Sequence, residues 1–284
     1  MRTMTNQNPI PSFILTTFFI SYIVGLIFAI LLGIVEKKLG LTDKPFSGVV
    51  AKYGPTIAGF ITVYSMQGKD GLKKLFLKGI KLNRSFSLTA LALIGPPIIL
   101  IISSDMSGLN KNGDSFSVSW IWIFLQLLLF KLFLGGGFGE EFGWRGFMLS
   151  EMTKKYRYLY STLVIGVVWA LWHLPAYFLS NKGQEDPLLP FFIQVIAFSF
   201  IFTWFYMKSR ESVLIVAILH ASFNASMTLI EKVYQVDLLS ENYTAYYWIF
   251  TGLMVFLALI VFFPIGVADK GMVLTKEETP NGLF

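Results

Sequence analysis

Two adjacent carboxylates and an arginine interrupt an apolar stretch in the middle of the chain, within GGGFGEEFGWRG at residues 135–146. Successive residues of a helix turn by about 100°, so Glu140 and Glu141 cannot point in the same direction. Glu141 and Arg145 have the i,i+4 spacing that allows a pair on one helix face. The spacing therefore predicts that Arg145 neutralises Glu141, while Glu140 faces another part of the protein.

The two histidines of the chain also lie in apolar runs, His173 in VVWALWHLPAYF and His220 in VAILHASFNASM. Ionisable groups at membrane depth are costly, and by default they indicate function. Asn224 follows His220 by one helical turn and shares its face. With a rise of about 1.5 Å per residue, Glu140, His173 and His220 all lie roughly 12–18 Å inside their segments. We therefore expect three helices to bring these side chains to a common level.

A carboxylate, two imidazoles and a carboxamide at one level can perform hydrolysis in two ways. Glu140, His173 and His220 can hold a Zn²⁺ ion that activates water. Alternatively, Glu140 can act as a general base on a water held by His173. In either case His220 and Asn224 can donate hydrogen bonds to a developing oxyanion. Both routes predict cleavage of an acyl bond.

The composition indicates that membrane helices position these side chains. Of the 284 residues, 55% are hydrophobic and 14% are charged, whereas a soluble domain carries about 25% charged residues. The chain has no cysteine, which excludes disulfides, thiolate zinc sites and cysteine nucleophiles. Its net charge of +6 comes largely from short loops between apolar runs. That pattern favours membrane lipids with anionic head groups as partners, and no nucleic acid.

Eight apolar runs approach the roughly 20 residues that a membrane span needs. They predict an all-α integral membrane protein, a bundle of about eight transmembrane helices that encloses a polar catalytic cavity. We expect one membrane-embedded domain over residues 1–284, with the core motifs within 118–231. The fourth run is expected to break at the three glycines that begin at Gly135. The predicted spans are 13–35, 49–66, 88–104, 118–135 with an extension to about 150, 162–179, 188–207, 213–231 and 245–267.

The distribution of basic residues predicts the orientation. The N-terminus, the even-numbered loops and the C-terminal tail hold 14 lysines and arginines, whereas the odd-numbered loops hold 6. The positive-inside rule then places both termini in the cytoplasm, with the protein in the plasma membrane. The basic stretch 67–87 is either an amphipathic segment on the inner surface or an ordinary cytoplasmic loop. Three further basic residues, Lys52, Lys131 and Arg145, lie within the spans themselves.

Three short motifs occur in order on separate runs: EEFGWR at 140–145, WALWH at 169–173 and HASFN at 220–224. They match the patterns E-E-x-x-x-R, aromatic-x-x-x-H and H-x-x-x-N. Together they resemble the CAAX-protease and bacteriocin-processing family of intramembrane proteases, known as CPBP or Abi. The resemblance covers about residues 118–231, and it implies an eight-helix bundle with a catalytic cavity open towards the cytoplasm. The family pattern assigns catalysis to Glu140, His173, His220 and Asn224.

Glu141 and Arg145 complete the first motif of the resemblance, and Trp169 stands where many family members have phenylalanine. The resemblance implies an intramembrane endopeptidase that cuts a peptide or a lipid-modified protein tail near the cytoplasmic leaflet. Both zinc-dependent and metal-free glutamate mechanisms are discussed for this family. Two other functions fit some of the residues. A haem-binding membrane protein would use His173 and His220 as axial ligands but leaves Glu140 unexplained. In a non-catalytic scaffold or immunity protein, the motif residues would only hold helices together.

Overall fold

The computed structural model describes residues 8–40, 48–81, 86–109, 117–179, 187–233 and 240–277. Throughout these ranges the regular structure is helical, and no strand occurs in them. Seven segments are long and apolar enough to cross a membrane. The chain is thus an all-α integral membrane bundle, as the composition predicts. The seven segments are Pro9–Val35, Phe86–Ser107, Val118–Met152, Tyr158–Phe178, Leu188–Lys208, Val213–Val233 and Glu241–Gly266.

Two of the seven segments contain a π-helical part, Phe19–Val24 in the first and Phe142–Leu149 in the third. The predicted break in the third segment is present, because Gly135 has an extended backbone between two helices. The α-helices are α1 Pro9–Phe18, α2 Gly25–Lys38, α3 Val49–Lys52, α4 Gly54–Ile80, α5 Phe86–Ser107, α6 Val118–Leu134, α7 Gly136–Glu141, α8 Ser150–Met152, α9 Tyr158–Leu179, α10 Leu188–Lys208, α11 Val213–Val233 and α12 Glu241–Glu277.

The structure differs from the predicted spans at the second run, 49–66. This run is divided at Tyr53 between α3 and α4, and neither helix is among the seven apolar segments. The reason is that α4 is kinked at Gly68 (φ 63°, ψ −152°), which leaves an apolar first half too short to span a membrane, and it then continues into the basic stretch as far as Ile80. The first half of α4 still positions the site. A Cβ atom on Gly59 would lie 3.3 Å from the Cα of Gly143, so α4 crosses the π-helical part of the third segment at close range.

The second half of α4 is an amphipathic helix. Gly71, Leu75 and Gly79 are buried and follow one another at intervals of four residues, which places them on one face. Lys73 and Lys74 are exposed. The basic stretch is therefore helical as far as Ile80 and not an ordinary loop. Its predicted continuation at residues 82–85 lies outside the described residues.

Lys78 fixes this amphipathic half of α4 to the rest of the bundle. Its Nζ atom lies 2.8 Å from Glu211 Oε2 and donates hydrogen bonds of 2.9 Å to Ser150 Oγ and to the Tyr206 hydroxyl. Burial by itself lowers the pKa of Lys78, but Tyr206 and Glu211 outweigh burial and raise this pKa above its ordinary value. The ammonium group therefore stays charged and joins α4 to α8, α10 and the turn that follows α10.

Helix α11 is the central element of the bundle. It packs against α5, α6, α7 and α10, so that its sides are covered by other helices. Small residues allow this close packing: Ala217, Ala221 and Ala225 are all fully buried along one face. The same helix carries His220 and Asn224, and its central position brings both residues to the third segment.

Candidate active site

A cavity of about 400 Å³ lies between the first, third, fourth and sixth apolar segments. Glu140, His173, His220 and Asn224 all line it. The structure thus brings together the four side chains that the sequence places at one level. Glu141 and Arg145 do not line the cavity; both are fully buried behind Glu140.

Glycines bring the backbone of α7 close to the site. A Cβ atom on Gly136 would lie 2.4 Å from His220 Nε2 and 2.7 Å from Glu140 Oε1. Both atoms therefore face the same point, and any side chain at residue 136 would occupy the space between them. A Cβ atom on Gly143 would lie 2.3 Å from the carbonyl oxygen of Pro55. The glycine-rich sequence is thus required by the close approach of α4, α7 and α11.

Trp169 positions two of the site residues. Its indole Nε1–H donates a hydrogen bond of 2.7 Å to Glu140 Oε2, which leaves Oε1 directed towards Gly136 and His220. Its backbone carbonyl lies 2.8 Å from His173 Nδ1. The sequence includes Trp169 only as the aromatic residue of the second motif. Its hydrogen bond to Glu140 depends on packing between α9 and α7, and a phenylalanine could not form it.

The hydrogen-bond partners fix the tautomers of both histidines. A carbonyl or a carboxylate oxygen only accepts, so the Nδ1 atom that faces it must carry the proton. His173 Nδ1 faces the carbonyl of Trp169, and His220 Nδ1 faces Glu141 Oε1 at 2.7 Å. In each neutral ring the lone pair therefore lies on Nε2. The Nε2 atom of His220 can donate a hydrogen bond only when the ring is an imidazolium.

A buried ion cluster lies behind the cavity. Arg145 Nη1 donates to Glu141 Oε1 and Oε2 at 3.2 and 3.0 Å, which is the pairing that the i,i+4 spacing predicts. The guanidinium lies 4.5 Å from the centre of the Trp169 ring and 5.0 Å from that of Phe202. Its Nε and Nη2 atoms have no hydrogen-bond partner within the described ranges, so the aromatic rings provide much of its environment. Glu141 thus connects Arg145 to His220.

The predicted zinc ligands are not arranged as a metal site. In the part of the chain that the structure describes, no group of three histidine or acidic side chains is close enough to hold a metal ion. One oxygen of Glu140 accepts the hydrogen bond from Trp169, and the Nδ1 atoms of His173 and His220 have other partners. These contacts leave Oε1 of Glu140 and the Nε2 atoms of both histidines open to a ligand, so zinc binding by these three residues stays a prediction.

Two lysines also line the cavity, Lys52 at the end of α3 and Lys131 in the last turn of α6. The sequence shows both lysines as charges within apolar runs, but it gives no signal that they approach the motifs. Their position depends on contacts of α3 and α6 with α7.

Together, the fold and the cavity define an integral membrane bundle with a buried carboxylate, two histidines and an asparagine at one polar site. Residues 117–226 match the model of a family described as Rce1-like, type II CAAX prenyl endopeptidase. This match confirms the family resemblance that the three motifs indicate. The chain is also similar to CAAX prenyl protease 2 of Methanococcus maripaludis, with 28% identity over 177 residues. The similar region covers 57% of this chain and 62% of the relative, so it spans less than two thirds of that protein.

Proposed function

We propose that this protein is an intramembrane endopeptidase that hydrolyses a peptide bond in a peptide or protein tail near the cytoplasmic leaflet. The observation that carries the proposal is the position of Glu140, His173, His220 and Asn224 around one cavity. A scaffold does not need a carboxylate and three further polar groups on the wall of a cavity. The similarity to the Rce1-like family over the same residues supports protease activity.

Glu140 and His173 activate the attacking water in this mechanism. Glu140 Oε2 is held by Trp169, so Oε1 is the oxygen that accepts the proton from water. His173 directs the lone pair of Nε2 away from the carbonyl that binds its Nδ1–H, and it can accept a hydrogen bond from the same water. The water oxygen then forms a bond to the peptide carbonyl carbon. The C–N bond of the tetrahedral intermediate then breaks, and Glu140 returns the proton to the departing amine, which restores the carboxylate.

His220 and Asn224 stabilise the negative charge that develops on the carbonyl oxygen. The carboxamide of Asn224 donates without any change of protonation. His220 donates from Nε2 as an imidazolium, and the hydrogen bond from its Nδ1–H to Glu141 stabilises that positive charge. Donors that are already in position stabilise the tetrahedral intermediate without reorganisation. Glu141 and Arg145 are therefore positioning residues in this proposal, because they act through His220.

An apolar groove beside the cavity supports a substrate with a lipid-like or strongly apolar part. The groove has a volume of about 500 Å³ and is lined by residues of α1, the first π-helical part, α2, α3 and α9. It shares Ser21, Tyr22, Ala51 and Ala176 with the cavity. A substrate can therefore lie in both spaces at once, with the peptide bond near Glu140. The relative from Methanococcus maripaludis is named as a prenyl protease, which agrees with a lipid-modified protein as substrate.

The function is tested by comparing protein C-termini in cells that express the wild-type chain or the Glu140→Ala variant. We expect a small set of tails that are shortened only with the wild-type chain. The matched control is Glu151→Ala, because Glu151 lies in the same segment but forms an ion pair with Lys154 outside the cavity. Identical C-termini in all three samples would favour a non-catalytic scaffold. A Soret band in the purified protein would favour a haem protein.

We also propose that the chain is one membrane-embedded domain in the plasma membrane with both termini in the cytoplasm. The excess of basic residues in alternate loops supports this orientation. Reporter fusions at residue 76, within α4, and at residue 111, outside the described residues, should report cytoplasm and exterior respectively. The opposite result at both positions would invert the topology and move the cavity to the outer leaflet.

Of the two hydrolytic routes we propose the direct glutamate route, because no three histidine or acidic side chains among the described residues are grouped closely enough to hold a metal ion, although Glu140, His173 and His220 line one cavity. We expect purified protein to keep its activity after rigorous chelation. Near-stoichiometric zinc that is lost in His173→Ala, together with activity that chelation removes, would support the zinc route instead.

A further inference from the structure

The amphipathic half of α4, residues 69–80, exposes lysines and large apolar side chains together. The exposed basic and apolar residues are Lys69, Lys73, Lys74, Phe76, Leu77 and Ile80. Lys73, Leu77 and Ile80 follow one another at intervals of four and three residues, so they lie on one helix face. Asp70 is the one acid in this half of the helix, so positive charge predominates. Such a face is typical of a helix that lies in the interface between a membrane and water.

Hydrogen bonds place this half of α4 at an end of the bundle. Lys81 Nζ donates to the carbonyl of Arg210, and the Ser212 hydroxyl donates a bond of 2.7 Å to the carbonyl of Lys81. Lys78 binds Ser150, just before the turn between the third and fourth apolar segments. The turns at this end add the exposed residues Lys155, Arg157, Lys208 and Arg210. In the proposed orientation this basic end faces the cytoplasmic leaflet, which carries anionic lipids.

The buried side of the same helix half touches the segment that carries the proposed catalytic acid. A Cβ atom on Gly79 would overlap the ring of Phe142, so the ring fills the space that the glycine leaves. A Cβ atom on Gly146 would lie 2.8 Å from Cδ1 of Leu75. Phe142 and Gly146 directly follow the two partners of the buried ion pair in the sequence. The amphipathic half of α4 therefore packs against the part of the third segment that holds this pair.

We propose that the amphipathic half of α4 is a binding surface for anionic lipid head groups, and that bound lipid raises activity by holding this helix against the third segment. The effect on activity rests on the proposed function, whereas the binding does not. The lysines bind lipid phosphates, and Phe76, Leu77 and Ile80 enter the boundary between head groups and acyl chains. An acidic segment of a soluble protein would be attracted by the lysines, but it would leave the apolar side chains in water.

The binding test uses the absence of cysteine from the chain, because a fluorophore can then be attached to a single introduced cysteine. Leu77→Cys places the label on the proposed surface. Ile102→Cys is the matched control, with an exposure of 44% against 46% for Leu77 and a position about 24 Å along α5 from Phe86. The protein is placed in phosphatidylcholine nanodiscs that contain either brominated phosphatidylglycerol or the same fraction of brominated phosphatidylcholine. We expect phosphatidylglycerol to quench the label at residue 77 more strongly and the label at residue 102 equally.

Charge substitutions test whether the lysines cause this preference. Lys73→Gln and Lys74→Gln should each raise the phosphatidylglycerol fraction at half of the excess quenching roughly fivefold, the contribution of one basic residue near an anionic membrane surface. Lys232→Gln is the control, because Lys232 is exposed and lies about 28 Å along α11 from Val213. Equal quenching of the label at residue 77 by the two lipids would overturn the proposal. If polyglutamate then changes the fluorescence, the lysines bind an acidic protein segment instead.

Hydrogen exchange and activity test the effect of bound lipid on the protein. Exchange of the backbone amides of residues 69–80 should slow in phosphatidylglycerol, because the helix is held more firmly. The kcat/KM on a verified tail should rise roughly fivefold over pure phosphatidylcholine, and Lys73→Gln should keep the rate in phosphatidylcholine but lose most of the increase. Excess quenching and slowed exchange without hydrolysis in either lipid would support the lipid surface, and only the proposed function would fail. Equal hydrolysis in both lipids would overturn the effect on activity.

Discussion

The two neighbouring carboxylates of the third segment differ in almost every physical respect. Glu140 lines the cavity, has one oxygen held by Trp169 and has the other directed towards open space. Glu141 is fully buried, and its two oxygens accept three hydrogen bonds from Arg145 and His220. One carboxylate is free to exchange a proton with a ligand, whereas the other is fixed as the counter-charge of two basic groups.

In the proposed mechanism, this difference assigns proton transfer to Glu140 and positioning to Glu141 within one short segment. Residues that face the cavity need an accessible lone pair or N–H group, so they cannot satisfy all their hydrogen bonds within the protein. Residues behind them need full compensation, because an unpaired buried charge is costly. Substitutions of residues that face the cavity should therefore lower kcat, whereas substitutions of the buried residues behind them should lower the free energy of unfolding.

The largest effect is expected at Glu140. Glu140→Gln keeps the shape and can still contact Trp169, but it cannot accept a proton from water. We expect kcat to fall by about 10³-fold or more, towards the upper end of what acid–base catalysis contributes. The melting temperature should stay near that of the wild type. Substantial turnover by this variant on a verified substrate would remove Glu140 from its catalytic role.

Arg145→Ala should show the opposite behaviour. It leaves Glu141 with His220 as its remaining partner and removes the guanidinium from between Trp169 and Phe202. We expect a loss of about 3–5 kcal/mol in the free energy of unfolding, the range for broken buried ion pairs. Denaturation in detergent or bicelles measures this loss. A variant as stable as the wild type would show that the cluster is not needed for the fold.

Asn224→Ala tests the cavity side again, with a smaller effect. Its carboxamide lines the cavity together with His220, where the proposed mechanism places the oxyanion. We expect kcat to fall by roughly 10²–10³-fold with little change in KM, because an oxyanion donor acts mainly in the transition state. Turnover is measured per folded molecule. Normal turnover per folded molecule would show that Asn224 is not part of the catalytic set.

The smallest effect is expected for Trp169→Phe, which removes the hydrogen bond to Glu140 but keeps an aromatic ring beside Arg145. We expect a decrease in kcat of about tenfold with an unchanged KM, because one hydrogen bond to a charged group is lost. Trp144→Phe is the matched control. Trp144 is also buried, and its indole N–H has no hydrogen-bond partner among the described residues. If both variants lose the same activity, the effect of Trp169 is packing and not orientation of Glu140.

Local rules predict a large part of this site. The i,i+4 spacing predicts the pair of Glu141 and Arg145, and the structure contains it. The break at Gly135 follows from three successive glycines, and all seven apolar segments begin and end within about four residues of their predicted bounds. These features depend on neighbours in the sequence. The second predicted span is less accurate, because apolarity alone does not show that a helix continues into the basic stretch as far as Ile80.

The amino-acid sequence by itself determined the membrane class, the positions of the seven apolar segments and the identity of the polar residues that enter the bundle. A polar group that is buried in an apolar medium costs free energy unless it is hydrogen-bonded or paired. Polar residues in apolar runs therefore indicate a functional or structural site even before their contacts are known. Only the tertiary structure decided which atoms meet. Glu141 contacts His220, which is 79 residues away, and Trp169 binds Glu140 from another helix. The approach of Lys52 to Glu140 also depends on how α3, α6 and α7 pack, and side-chain contacts between separate helices are not encoded in any local spacing.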